Sequence, residues 1–182
     1  MRHRGPRQPR PPLDEDKLNE LMLAYVAKFA TSRAKLAAYL SRKLRERGWA
    51  GSGEAPVKEL VAKAERLGFV DDAAFALGKA RALTARGYGE RRVGQALHAA
   101  GIGEEDGEAA RSHAQTDRVE AAIRFARRRR LGPFAPSPAD PKTFEKQLAA
   151  MIRAGHGLRL AKAMLMLAPG AEVDRQALED ER

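Results

Sequence analysis

Four groups of residues in this chain have types and spacings that could carry chemistry. Asp71 and Asp72 are adjacent carboxylates. Acid–base work needs carboxyls that face one substrate, and neighbours at a helix start do not face each other. With no histidine or nucleophile close in sequence, the pair reads as a helix cap: short acceptors for orphan N–H groups, with charge suited to the positive end. Gly87-x-Gly89 with Gly94 has the wrong spacing for a dinucleotide fingerprint, and no strand precedes it. His3, His98, His113 and His156 are scattered without metal-ligand spacing, so no metal and no cofactor is expected. The cations remain, and their chemistry is attraction to polyanions.

Among them, Arg33 and Lys35 stand near the start of one helical segment, and Arg91 and Arg92 near the start of another, with Arg86 just before the latter pair. Arg42 extends the first set along a face poor in acidic partners at helical spacing. Arg127, Arg128, Arg129 and Arg130 form a run at a helix end, where the negative dipole accounts for part of it. The formal net charge is +10 and the isoelectric point near 10.3. Recurrence at equivalent places makes these arginines and lysines the expected contacts with nucleic acid or an acidic protein surface.

The elements that must position them are helices. The stretch Gly68 to Ile102 reads as two helices around a Gly-Tyr-Gly corner. The first is predicted from about Ala73 to Arg86, with Gly87 as its left-handed stop. Gly89 opens the second, and Val93, Ala96, Leu97 and Ala100 fall on one stripe. Tyr88 and Phe69 are expected to pack at the corner and the helix junction. Upstream, Leu18, Leu21, Met22, Tyr25 and Phe29 mark one helix, and Leu36, Tyr39, Leu40 and Leu44 another, capped by Thr31 or Ser32. Val57, Leu60, Val61, Ala64 and Leu67 give a further stripe after Pro56. Downstream, the stripes are Val119–Ala122–Ile123–Ala126, Phe144–Leu148–Met151–Ile152 and Leu158–Ala161–Met164–Leu165. GEEDGEAARSHAQ is read as an acidic connection.

The fold class is therefore all-α with no sheet. Setting Gly87-Tyr88-Gly89 against Gly155-His156-Gly157 brings Val93 onto Ala161 and Leu97 onto Leu165. The expected architecture is an elongated array of tandem three-helix, helix-turn-helix-like repeats. Its parts are a disordered basic Pro/Arg arm (1–13), a two-helix first unit (14–50), three-helix units at 57–102 and 114–168, and an acidic mobile tail (169–182) with a short helix near Val173 to Leu178. No cysteine is present, which excludes disulfides and thiolate chemistry. No apolar segment follows the basic start and no run could span a bilayer, so a cytoplasmic monomer without a membrane partner is expected.

These residues resemble the RecX family of bacterial recombinase regulators. The likeness rests on Thr31-Ser32 with Leu36 and Leu40, on Gly68-Phe69-Val70-Asp71-Asp72-Ala73-Ala74-Phe75-Ala76, and on Arg86-Gly87-Tyr88-Gly89 with Arg92-Val93 and Gly101-Ile102. Ala154 and His156 depart from it, standing where the family tends to have a basic residue and an aromatic. The resemblance implies a non-enzymatic, modular all-α protein. It would bind the RecA–single-stranded DNA filament and restrain its ATPase, strand-exchange and co-protease activities, touching DNA weakly and in a salt-sensitive way, duplex included. The alternative from another class is a free-standing helix-turn-helix DNA-binding protein.

Overall fold

Short acceptors start the helices where the sequence offers them. The structure, a computed structural model, describes residues 11–181. Asp14 accepts the Lys17 backbone N–H at 2.8 Å and opens α1 (Glu15–Val26). Ser32 accepts that of Lys35 at 3.2 Å and opens α2 (Arg33–Arg47). α3 (Val57–Arg66) follows Pro56. Asp71 accepts the Ala74 N–H at 2.8 Å where α4 (Asp72–Ala85) begins. Then come α5 (Glu90–His98), α6 (Glu104–Thr116) and α7 (Arg118–Arg129), followed by a short 3-10 turn at Gly132–Phe134. α8 (Pro141–Arg153), capped by Asp140, α9 (Leu158–Met166) and α10 (Arg175–Glu179) complete the chain. The described residues contain no strand, only an isolated parallel bridge between Leu13 and Trp49.

The chain divides into two units, residues 1–75 and 76–182, with the division inside α4. In the first, Leu18, Met22, Leu36, Leu40, Leu60, Ala64 and Val70 form one core. Burying these side chains stabilises the unit by roughly 1.5–3 kcal/mol for each large one. α3 packs on α1 and α2 here, although in sequence its stripe runs straight into the helices that follow it. The basic arm falls mostly on residues 1–10, outside the described residues. Leu13, assigned to that arm by sequence, is instead fully buried. Its N–H donates to the Gly48 carbonyl at 3.0 Å, and its own carbonyl accepts the Ala50 N–H at 2.8 Å.

In the second unit, α7, α8, α9 and α10 enclose Val119, Ile123, Phe125, Met151, Leu160, Met164 and Leu178. Two expectations fail here. The GEEDGEAARSHAQ stretch is not a connection but α6: Glu104, Glu105 and Asp106 place negative charge in its first turn, where the helix dipole favours it, and Gly107, Ala110 and Ala114 bury a stripe of small residues against α5 and α7. The tail is not simply loose. Leu178 is buried, Arg118 donates to the Glu179 and Glu181 carbonyls, and Arg175 pairs with Glu120.

The repeat is visible in the corners. α5 and α9 are each nine residues long and follow Gly-Tyr-Gly and Gly-His-Gly. Gly87 and Gly155 hold equivalent left-handed conformations, φ +78° and +96°, which a side chain reaches only with strain. Val93 and Leu97 are buried, as are their counterparts Ala161 and Leu165.

Candidate functional site

Within each unit, the sequence-selected cations differ in their partners. In the first unit, Arg33 is held by carboxylates on both sides. Its Nε donates to Asp72 at 3.1 Å and its Nη1 to Glu65 at 2.9 Å. Asp72 also accepts the Arg33 backbone N–H at 2.8 Å, so it caps the start of α2 and not, as its position suggested, its own helix. The Lys35 ammonium lies 5.5 Å from the centre of the Phe75 ring. Arg42 shares Glu46 with Lys43, at 3.7 and 2.6 Å, so α2 is less free of acidic partners than its sequence indicates. Such exposed pairs are worth little in stability. Phe69, expected to pack, is 48% exposed, whereas its neighbour Val70 is buried.

In the second unit the arginines divide by task. Arg124 donates to the Thr84 carbonyl at 3.1 Å and Arg128 to that of Arg86, so side chains of α7 satisfy carbonyls at the end of α4. Arg128 and Arg129 lie 5.6 and 6.0 Å from the Phe125 ring centre, and Arg127 5.0 Å from that of Phe134. Arg86 covers Tyr88 at 5.5 Å, and Tyr88 is partly buried against the core, as a corner residue should be. Arg130, at φ +54°, is the left-handed cap of α7. The four-arginine run thus contains one carbonyl cap, Arg128, and exposed guanidiniums stacked on aromatic rings.

The two glycine corners dock on each other. The Gly89 N–H donates to the Ala154 carbonyl at 2.9 Å, and the Arg91 N–H to that of Gly155 at 3.2 Å. A Cβ on Gly89 would lie 2.4 Å from the Gly155 oxygen, and one on Gly155 2.4 Å from the Arg92 nitrogen. His156, 1% exposed, donates from Nε2 to the Gly87 carbonyl at 3.1 Å. Burial lowers its pKa to about 4, against the opposing pull of the Gly87 carbonyl.

Beside the docked corners is a cleft of about 450 Å³, lined by Arg91 at the start of α5, Arg159 at the start of α9 and Arg118 at the start of α7. Glu90 and Glu181 also reach it. Arg91 and Arg159 occupy the same position of their repeats, the second residue of α5 and of α9. Neither has an ion-pair partner among the described residues. Arg159 and Arg118 were missed by the sequence reading. Carrying the Gly87/Gly155 alignment four residues further would have found Arg159; nothing local marks Arg118.

No protein-family profile matches the chain. A regulatory protein RecX from Myxococcus xanthus is 32% identical over 172 residues, 90% of this chain and 91% of its own. Another from Agrobacterium fabrum is 33% identical over 138 residues, 73% of each chain. The crystal structure of RecX from Lactobacillus salivarius superposes with a TM-score of 0.61 at 17% identity, covering 82% of this chain and 93% of that one. A second crystal structure of regulatory protein RecX gives 0.60 at 19% identity, over 83% and 70%. At these identities the two structures speak for the fold alone.

Proposed function

Because this chain belongs to the RecX family of regulatory proteins, we propose that it regulates the RecA recombinase by binding, without catalysing a reaction. Its target is the RecA–single-stranded DNA filament, whose ATPase, strand-exchange and co-protease activities it restrains. The observation that carries this reading is the relative matched along 90% of the chain. Two features support it: the excess of positive charge and the exposed arginines at repeat-equivalent corners, Arg91 and Arg159. Many weak cationic contacts suit a long anionic target better than one deep pocket does.

ATP hydrolysis by RecA on single-stranded DNA tests it. Substoichiometric amounts of the protein slow turnover at low salt; unchanged turnover overturns the reading. Bare DNA is bound weakly, and if about six phosphates are contacted the affinity falls on the order of a thousandfold between 50 and 200 mM salt.

The competing reading is a free-standing helix-turn-helix protein with α5 or α9 in the major groove. Such a helix reads bases with its first residues. Here the backbone at the start of α5 is engaged by the α8–α9 corner, the Gly155 carbonyl accepting the Arg91 N–H. That docking works against groove entry. A sequence-preferring duplex complex formed without RecA would restore the alternative.

A further inference from the structure

The acidic residues at the end of α10 and just beyond it border a cleft where repeat-equivalent arginines meet. Arg118 fastens them there through main-chain atoms: its guanidinium donates to the Glu179 carbonyl and, at 3.2 Å, to the Glu181 carbonyl. Leu178, buried in the core of the second unit, anchors the same segment one residue earlier. Glu181 lines the cleft together with Arg91, Arg118 and Arg159. Asp180 and Glu179 border the adjoining groove, which shares Arg118. The lining of the cleft holds three arginines and two glutamates, Glu90 and Glu181, and the second is contributed by the segment after α10.

We infer that the segment Glu179–Glu181 is an internal competitor of the phosphodiester backbone at the Arg91–Arg118–Arg159 cleft. This rests on the DNA contact in the proposed function and adds where that contact is made and what opposes it. A carboxylate beside unpaired guanidiniums presents the charge that a phosphate would present, at a high effective concentration because the chain itself holds it in place. A single strand entering the cleft must displace or share that charge. The anchoring bonds use carbonyl oxygens, so the carboxylates are free to neutralise the cleft without being needed to hold the segment down. The device weakens binding to an isolated strand, while contacts made elsewhere by an assembled filament can overcome it.

The test is fluorescence anisotropy of a labelled oligothymidine at about 50 mM salt, with the full chain throughout. Glu179→Gln, Asp180→Asn and Glu181→Gln together remove the three charges and keep the carbonyl contacts. A control carries Glu104→Gln, Glu105→Gln and Glu108→Gln on α6, the same change in net charge at a different groove. The first variant binds about tenfold tighter than the parent and the control less than about twofold tighter, since screening confines the effect to nearby charges. Adding Arg91→Gln and Arg159→Gln to the first variant abolishes its gain. Equal gains in the two variants, or a gain that survives loss of both arginines, overturns the inference and leaves the proposed function standing. No binding by any form overturns both the inference and the DNA contact on which it rests.

Discussion

Asp72 caps a helix that begins 39 residues before it: its Oδ1 accepts the backbone N–H of Arg33 at 2.8 Å while its Oδ2 accepts the Arg33 Nε–H at 3.1 Å. One buried carboxylate thereby satisfies an orphan donor of α2 and holds the side chain that sequence alone would assign to a partner. Charge-assisted bonds of this kind contribute more than neutral ones.

Asp72→Asn keeps the shape but offers one acceptor where the site uses two. It is expected to lower the stability of the first unit by about 1.5–3 kcal/mol in urea unfolding. Glu65→Gln, at the exposed side of the same guanidinium, is expected to cost less than about 1 kcal/mol. Equal losses from the two would deny Asp72 its capping role.

The corner contact predicts a second asymmetry, between glycines of like conformation. Gly170 has φ +80° and open space around it, so Gly170→Ala carries only the left-handed strain, about 1–2 kcal/mol. Gly155→Ala adds a methyl 2.4 Å from the Arg92 nitrogen and 2.7 Å from the Arg92 Cβ. Its cost is expected to be roughly twice as large or more, because two hydrogen-bonded backbones must separate. Thermal melts of both variants read the difference, and matched melting temperatures would mean that the corners do not dock.

The helices with large buried residues were legible because Leu, Val and Met at intervals of three and four leave a clear stripe, as Val93 and Leu97 do. α6 was not, because Gly107, Ala110 and Ala114 bury a face without any large apolar side chain. α10 was only half legible, resting on one deep apolar residue, Leu178. The cationic residues were legible as types but not as partners. Whether an arginine is free depends on groups distant in sequence, such as Asp72 for Arg33 or the Thr84 carbonyl for Arg124. Spacing within a helix carries no information about those.

Arg130 allows charge and conformation to be separated. It is exposed, and it is the non-glycine residue with positive φ among the described residues, at +54°. Arg130→Gly removes a charge and relieves the left-handed cap, so stability is expected to rise by about 1 kcal/mol. If Arg130 also touches phosphate, affinity for single-stranded DNA falls in the same variant and the salt slope drops by about one. Calorimetry paired with a salt titration measures both, and a loss of stability would contradict the cap assignment.

His156 makes the docked corners sensitive to acid. Its Nε2–H is used by the Gly87 carbonyl, Nδ1 is buried with no protein partner, and the ring meets Phe125 edge-on at 5.4 Å. Folded, its pKa is about 4; unfolded, it returns to about 6.5. Between those values the unfolded chain binds a proton that the folded chain refuses, so stability falls as pH drops from 6.5 towards 4. Above 6.5 both states are neutral and this residue adds no pH dependence. The loss at the bottom of the window is on the order of 3 kcal/mol. Carboxylates protonate in the lower part of the same range, so the measurement is a difference. Urea unfolding of the parent and of His156→Gln is compared at pH 7, 5.5 and about 4. Glutamine can still donate to the Gly87 carbonyl but cannot take up a proton, so its stability curve is expected to be flatter from pH 6.5 downwards. Parallel curves would show that the ring takes up its proton as readily in the folded chain as in the unfolded one, and the corner would then have to supply an acceptor for Nδ1 that the present arrangement lacks.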